Sequence, residues 1–214
     1  MVEENHDYEM LLERLKEGDQ KALAELFSRH RERLWRMVNF RMDRRLHGRV
    51  DADDILQEAY IDALQRLPHY LEQKKMSFFV WLRWIVSQTL IDIHRKHLGT
   101  QRRAADREIS MQNPFGNATS VSIAAQLLGH LTSPSQAAMR HELARQLEEA
   151  LEKMNPIDRE VLALRHFEEL TNKEVAEVLG IQPKAASIRY VRAIKRLKDI
   201  LEKVSLLQDD SQRG

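Results

Sequence analysis

The chain has 214 residues and a formal net charge of +1, so any binding to nucleic acid has to come from charge sorted along the chain rather than from bulk charge. It contains no cysteine, which excludes disulfides, cysteine-ligated zinc and thiol chemistry. The acidic N-terminus lacks the apolar segment of a signal peptide, and no apolar run approaches the roughly 20 residues of a membrane span. These features predict a cytoplasmic protein of one or two domains without membrane insertion.

Helical periodicity dominates the first part of the chain. Seven glycines and five prolines are too few for a sandwich or barrel rich in turns, and alternation of period two is absent, so the predicted class is all-α. A helix over 7–17 is predicted to end at Gly18, and Asp19 is predicted to cap a second helix that extends to about Leu46. The second helix has one apolar stripe, formed by Leu23, Leu26, Phe27, Leu34, Met37 and Val38.

Two further helices complete the first predicted domain, residues 1–98. Asp51 caps a third helix that Pro68 ends, and Ser77 caps a fourth that ends near Gly99. The apolar stripe of the third helix consists of Ile55, Leu56, Ala59, Tyr60, Ala63 and Leu67. The fourth helix contains Phe78, Phe79, Trp81 and Trp84. At this spacing the four rings cannot all point inward, and exposed rings beside cations suit stacking on unpaired bases, although Trp81 itself is expected in the core.

Acidic residues concentrate at the start of the third helix, where residues 51–62 include five acids and neither Lys nor Arg. Acids in a first turn favour the positive end of the helix dipole, which accounts for Asp51, Asp53 and Asp54. The dipole does not account for Gln57 and Glu58. Because such a surface repels phosphates, we predict that it faces a protein partner.

Residues 99–134 lack sustained periodicity and include the polar run QNPFGNATSVS, which predicts a linker. A second domain follows over 135–204, and residues 205–214 form a short tail. In this domain Ser133 or Ser135 caps a helix through Met154, and Asn155 with Pro156 begins another that extends to about Phe167. The predicted architecture is two four-helix units joined by a polar tether.

Residues 170–197 predict a helix-turn-helix. Its first helix has apolar residues at helical spacing, among them small Ala176, and Gly180 stands where a positive φ would end that helix. Pro183 occupies the first position of the second helix, which combines an apolar stripe with six cations. The N-terminal half of such a helix suits the major groove of DNA. An ordinary helical hairpin with a solvated basic face is the alternative.

Two segments resemble bacterial RNA polymerase sigma factors of the extracytoplasmic-function (ECF) type. Their second conserved region is similar to DADDILQEAYIDALQRL followed by FFVWLRWIVSQTLIDIHRK, and their fourth region to ALEKMNPIDREVLALRHFEELTNKEVAEVLGIQPKAASIRYVRAIKRLKDIL. The resemblance covers most of residues 10–201. It implies an alternative sigma factor that is not an enzyme and needs no cofactor or metal. Such a protein binds core RNA polymerase, through the β′ clamp and β flap, and directs initiation at promoter DNA, with an anti-sigma factor as a further candidate partner.

The resemblance also implies roles for particular residues. Docking on the β′ clamp falls to the acidic helix, through Asp51, Asp53, Asp54, Gln57 and Glu58. Opening and holding the −10 element falls to the fourth helix and the loop over 70–77, through Tyr70, Phe78, Trp81, Gln88, Arg95 and Lys96. Trp84 departs from the family, which commonly has a basic residue there, and joins this set as a stacking ring. Reading the −35 element falls to the helix-turn-helix, through Lys173, Lys184, Ser187, Ile188, Arg189, Arg192 and Lys195.

Two other classes of function remain open on the residues alone. Another helix-turn-helix transcription regulator, of the response-regulator kind, would need parallel strands and a phosphorylatable Asp, yet residues 1–98 show no strand pattern. An enzyme would need a cluster of catalytic groups, and the nine histidines are scattered. His94 and His97 lie at i, i+3 but lack a third metal ligand at plausible spacing.

Overall fold

The computed structural model describes residues 2–73, 75–98, 118–129 and 137–211, and the chain divides into two compact units, Met1–Arg107 and Glu108–Gly214. Within these described ranges all regular structure is helical, as the sequence predicts. None of the described helices has the length and apolar character that would let it cross a membrane.

Over residues 2–73 and 75–98, the described part of the first unit, there are four α-helices and one short 3-10 turn. These elements are α1 (Val2–Lys16), α2 (Gln20–Arg41), the 3-10 turn (Arg44–Leu46), α3 (Ala52–Gln73) and α4 (Phe78–Leu98). Gly18, at φ 90°, separates α1 from α2, and the Asp19 carboxylate accepts a hydrogen bond from the Lys21 N–H (2.9 Å). α1 packs on α2, while α2, α3 and α4 pack on one another around the buried stripes that periodicity predicts.

α2 is shorter than predicted, because a second cap interrupts it. The helix ends at Arg41, and Asp43 in extended backbone accepts a hydrogen bond from the Arg45 N–H (2.9 Å). That bond begins the separate 3-10 turn, in which Leu46 is fully buried. The apolar stripe continues across the break, which is why periodicity alone did not reveal it.

α3 is longer than predicted, because it continues through Pro68 to Gln73. Proline inside a helix removes one backbone hydrogen bond and clashes with the preceding turn, at a cost of about 3 kcal/mol. The extra turns bury Tyr70, so tertiary packing outweighs the local signal to stop. The predicted loop over 70–77 is correspondingly shortened.

α4 is the central helix of the first unit, and thirteen of its 21 residues are buried. Phe78, Phe79 and Trp81 are all buried and Trp84 is half-buried, so the four rings do not all point inward, as predicted, although three of them share the interior. The reason is that α2 and α3 both pack on α4 and cover different sides of it. Buried Ser87 donates a hydrogen bond to the Arg83 carbonyl (2.8 Å), which satisfies its hydroxyl within the helix.

In the described residues of the second unit, 118–129 and 137–211, there are five α-helices. They are α5 (Ala118–Gly129), α6 (Ala137–Glu152), α7 (Pro156–Leu162), α8 (Asn172–Leu179) and α9 (Pro183–Ser211). A π-helical turn over Ala163–Phe167 extends α7, so the helix predicted to reach about Phe167 is confirmed. The Asn155 side chain accepts a hydrogen bond from the Ile157 N–H (3.0 Å), which confirms the predicted start. α9 packs against α6, α7 and α8.

α5 lies inside the segment 99–134 that periodicity indicates as linker. It packs against α6 and α7, with Ile123 and Ala124 fully buried, and the Thr119 hydroxyl donates a hydrogen bond to Glu160 (3.1 Å). Three helical turns are too few to establish a period against a polar background, so only the packing identifies them. Residues 99–117 and 130–136, with the predicted caps Ser133 and Ser135, lie outside the described residues.

Candidate functional site

The exposed surface of α3 is acidic, and its first two acids have local structural partners. The Asp51 carboxylate accepts a hydrogen bond from the Asp53 N–H (3.1 Å), as a helix cap does. The Asp53 carboxylate in turn forms an ion pair with Arg31 of α2 (2.6 Å). Both residues were predicted to dock on polymerase, and the structure shows that they also fix the start of α3.

Asp54, Gln57 and Glu58 are exposed beside one another, and we call them, together with Ile61, the acidic face. Within the described ranges neither Asp54 nor Glu58 forms an ion pair. Like charges at i, i+4 repel by about 0.2–0.5 kcal/mol, so a cationic partner would relieve a cost that the free helix carries. Ile61, 55% exposed at the end of this face, was missed at the sequence level. Its position outside the apolar stripe of α3 was the signal available.

Three predicted −10 contacts form a buried aromatic cluster. The Tyr70 and Trp81 rings stack with centroids 4.4 Å apart, and Phe78 lies 6.0 Å from Tyr70 and 5.6 Å from Trp81. The Tyr70 hydroxyl donates a hydrogen bond to the Met76 carbonyl (3.1 Å), which ties α3 to the segment before α4. All three rings are buried, so in this structure they serve the core and offer no surface for a base.

The outward side of α4 retains the other predicted −10 contacts. Trp84 and Gln88 are half-buried one turn apart, and Arg95 and Lys96 are exposed two turns further on. The Arg66 guanidinium lies 5.4 Å from the centroid of the Trp84 ring. Among the described residues no acceptor reaches the buried Trp84 Nε1. The arrangement combines a partly open ring with nearby cations, which is the chemistry that stacking on an unpaired base requires.

His94 anchors the turn before α3 and is not a metal ligand in this arrangement. The Asp43 N–H donates a hydrogen bond to His94 Nε2 (3.2 Å), so that nitrogen carries no proton. Burial lowers the pKa of His94, and the hydrogen bonds from Arg45 lower the pKa of Asp43 to about 2. His97 is exposed, and the described part of the chain holds no group of three residues that could bind a metal ion.

The helix-turn-helix forms through local hydrogen bonds that the sequence encodes. Thr171 and Glu174 make a reciprocal capping box at the start of α8. Gly180, at φ 62°, ends α8, and the Ile181 N–H donates to the Ala176 carbonyl (2.9 Å), as in a Schellman motif. The Asn172 side chain then donates to the Pro183 carbonyl (2.7 Å), which links the start of α8 to the start of α9.

The outer surface of α9 exposes most of the predicted −35 contacts, namely Lys184, Ser187, Ile188, Arg192 and Lys195, and Lys173 is exposed on α8. Val191, 69% exposed on the same side of α9, was missed. An exposed valine between cations was the signal available in the sequence, since Val191 lies off the apolar stripe that contains Ala186 and Ala193.

Arg189 differs from the other residues predicted to contact the −35 element, because it is half-buried and forms an ion pair within the unit. Its Nη1 lies 2.6 Å from an Asp158 carboxylate oxygen of α7, and Arg192 lies 3.7 Å from the other oxygen. The Asp158 side chain is only 6% exposed, so it relies on Arg189 for its charge partner. The prediction that the Arg189 guanidinium points into a DNA groove therefore disagrees with the structure, in which that guanidinium connects α9 to α7.

Comparison with known proteins identifies the family. A family model described as ECF sigma factor matches residues 5–202. The chain belongs to the ECF sigma factor family. CarQ of Myxococcus xanthus, an RNA polymerase sigma factor, is 26% identical over 91% of this chain and 98% of its own length. The ECF RNA polymerase sigma factor SigW of Bacillus subtilis is 25% identical over 87% of this chain and 92% of its own.

A solved structure, that of CnrH in complex with the cytosolic domain of CnrY, matches 91% of this sigma factor and 96% of CnrH at 22% identity and a TM-score of 0.50. At that identity the likeness supports the helical fold alone. The family match and the relatives together make the chain an alternative sigma factor, as the resemblance of its two motif-bearing segments implied.

Proposed function

We propose that this sigma factor docks on core RNA polymerase through the acidic face of α3, holds the opened −10 element on the outer side of α4, and reads the −35 element with α9. One observation carries the proposal: the exposed acids of the acidic face lie on α3, whereas the exposed cations of the proposed DNA contacts lie on other helices, α4 and α9. A single DNA-binding surface would not require an unpaired acidic face.

The acidic face supports docking on a basic protein surface such as the β′ clamp. Asp54, Gln57 and Glu58 project to solvent, while the apolar stripe of α3 is buried against α2 and α4. Charge complementarity at an interface raises the association rate and sets specificity. Ile61 adds an exposed apolar group at the end of the same face, which suits the dry centre of a contact.

The outer side of α4 supports single-stranded DNA binding through fewer residues than the resemblance implied. Trp84 offers a stacking ring, Gln88 offers an amide for hydrogen bonds, and Arg95 and Lys96 offer charge for phosphate. We propose that Tyr70, Phe78 and Trp81 contribute indirectly: they do not contact DNA, and their buried aromatic cluster holds α4 in position. A rigid platform loses little entropy when a base stacks on it.

The basic surface of α9 supports duplex binding, with the cations at phosphates and the smaller side chains at base edges. With a net charge of +1 the whole chain attracts DNA weakly, so promoter affinity is proposed to depend on assembly with polymerase. We also propose that the protein acts in the cytoplasm, where it would meet polymerase, and that it has no enzymatic activity of its own. CnrH was solved with a protein bound to it, and an anti-sigma factor is a proposed partner here too.

Transcription in vitro with purified core polymerase on a library of genomic fragments tests the proposal. Added sigma factor should produce discrete start sites preceded by two shared elements at fixed spacing. Core polymerase alone is the control. If the chain adds no starts but responds to a small phosphodonor, the response-regulator alternative gains support instead.

A further inference from the structure

The outer stripe of α9 is cationic at both ends and apolar in the middle. Lys184 and Lys195 bound it, and Ile188 and Val191 lie between them, 51% and 69% exposed. At 1.5 Å per residue the two lysines are about 16 Å apart along the helix axis. The major groove is about 12 Å wide and admits a helix, and a lysine at each end of the stripe has a side chain long enough to reach a backbone phosphate. The apolar centre then meets the base edges.

The middle of the stripe lacks the group that usually reads guanine. An arginine reads guanine by donating two parallel hydrogen bonds, which requires a guanidinium that can swing into the groove. In this chain the Arg189 guanidinium is held by buried Asp158 at 2.6 Å. Releasing it would leave a nearly buried carboxylate with Arg192 alone, at 3.7 Å. The side chains left at the centre of the stripe are aliphatic.

Ile188 is held in a fixed position relative to the rest of the unit. Ala186 and Ala193, on the other side of α9, are fully buried, so the helix cannot rotate without opening the core. The Arg165 guanidinium donates to the Leu170 carbonyl (2.7 Å) and lies 5.2 Å from the ring centroid of Tyr190, which fixes α9 to the turn before α8. A β-branched side chain in a helix has essentially one χ1 rotamer, so Ile188 is preorganised for contact.

We propose that Ile188, with Val191 beside it, reads the 5-methyl group of thymine in the −35 element. Thymine is the one standard base that presents a methyl group in the major groove, and an aliphatic side chain is its matching contact. The flanking lysines favour DNA over a protein as the occupant of this apolar centre. The inference rests on the proposed role of α9 in −35 recognition and adds the base that it selects.

Replacing thymidine by deoxyuridine tests the inference, because the base uracil differs from thymine only in lacking the 5-methyl group. Holoenzyme assembled from core polymerase and the full chain is titrated against the promoter found by library transcription, with each −35 thymine of either strand replaced in turn. Losing one buried methyl-sized group predicts an affinity about fourfold lower at one or two positions. In Ile188→Ala holoenzyme, thymine and deoxyuridine should bind equally well there. Ile157→Ala removes another exposed isoleucine, on α7, and should keep the discrimination.

Three results overturn the inference while leaving −35 recognition intact: equal affinity of the wild type for every deoxyuridine variant, a −35 element without thymine, or an Ile188→Ala variant that still discriminates. If Ile188→Ala instead weakens binding of core polymerase without DNA, the apolar centre contacts protein and the inference also fails. A holoenzyme indifferent to any base change in the −35 element is a different outcome, since it removes the proposed role of α9 itself.

Discussion

The two helices proposed to contact promoter DNA, α4 and α9, use their side chains in opposite ways. α4 is the more apolar helix and is buried on most of its circumference, which leaves a narrow strip with Trp84 and Gln88 for a ligand. Up to Lys198, α9 buries one stripe that includes Ala186, Ala193 and Leu197 and exposes most of its other side chains. The proposed DNA contacts on α4 therefore depend on the integrity of the core, whereas most of those proposed on α9 do not. Arg189 is the exception on α9, because its ion pair with Asp158 makes this side chain part of the packing of the unit, as most side chains of α4 are.

The largest expected effect separates the buried and outer tryptophans of α4. Trp81→Ala removes a ring stacked on Tyr70 in the core and should lower the free energy of unfolding by about 3–5 kcal/mol. Trp84→Ala should cost about 1 kcal/mol and instead slow promoter melting detected with permanganate. All three tryptophans, 35, 81 and 84, lie in the first unit, so intrinsic fluorescence in urea reports its unfolding. An equal loss of stability in both variants would contradict the assignment of Trp81 to the core and of Trp84 to the outer side of α4.

The next effect concerns the exception on α9. Arg189→Ala leaves Asp158 buried beside Arg192 alone and should destabilise the second unit by about 2–3 kcal/mol, seen as faster hydrogen exchange in α7 and α9. Exposed Arg196→Ala, on the same helix, is the matched control and should change exchange little. Arg189→Ala with unchanged exchange and relaxed selectivity at one −35 position would restore the reading role that the sequence predicts.

Lys195 should behave differently from Arg189, because it is exposed and proposed to contact phosphate. Lys195→Ala should weaken holoenzyme binding to all promoters alike and reduce the slope of log affinity against log salt concentration by about one. Binding titrations at several salt concentrations measure both quantities. Loss of affinity confined to one −35 sequence would show that Lys195 contacts a base.

On α3, Glu58→Lys should weaken core polymerase binding about tenfold or more, since it places a cation opposite a basic partner. The free energy of unfolding should change by less than about 0.5 kcal/mol because Glu58 is exposed. Glu72→Lys makes the same change at an exposed position near the other end of α3. In a competition assay, Glu72→Lys should bind core polymerase with the affinity of the wild type. An equal loss of affinity in both variants would show that the net charge of the chain matters rather than the position of Glu58.

The smallest effect is a pH dependence of the first unit. Burial lowers the pKa of His94 in the folded protein below its ordinary value of 6.5, although Asp43 opposes and Arg45 reinforces the shift. The unfolded chain then binds the proton first, so the stability is fully present above about pH 6.5 and falls as the pH drops below it. His94→Gln, which keeps a hydrogen-bond acceptor, should flatten that part of the profile of unfolding free energy. A profile that keeps the same slope in the variant would assign the effect to other groups.

Sequence alone determined the features that depend on neighbours within one or two helical turns. The caps at Asp19, Asn155 and Thr171, the left-handed Gly180 and the buried stripes of α2 and α3 are local, because hydrogen bonds and periodicity involve residues at most a few positions apart. Charge sorting is also local, so the sequence predicts the acids of the acidic face and the basic helix, whereas Ile61 at the end of that face does not belong to either pattern.

Tertiary structure decided whatever depends on a distant partner. α3 continues through Pro68 because Tyr70 gains a stacked neighbour from α4, and the short α5 is stable because α6 and α7 cover it. The Arg189 guanidinium is held by Asp158, which lies 31 residues earlier in the chain. No pattern within a single helix contains that partner. Residue types and their spacing therefore predict that α9 is the second helix of a helix-turn-helix, while a buried carboxylate on α7 decides that the Arg189 side chain is engaged within the unit.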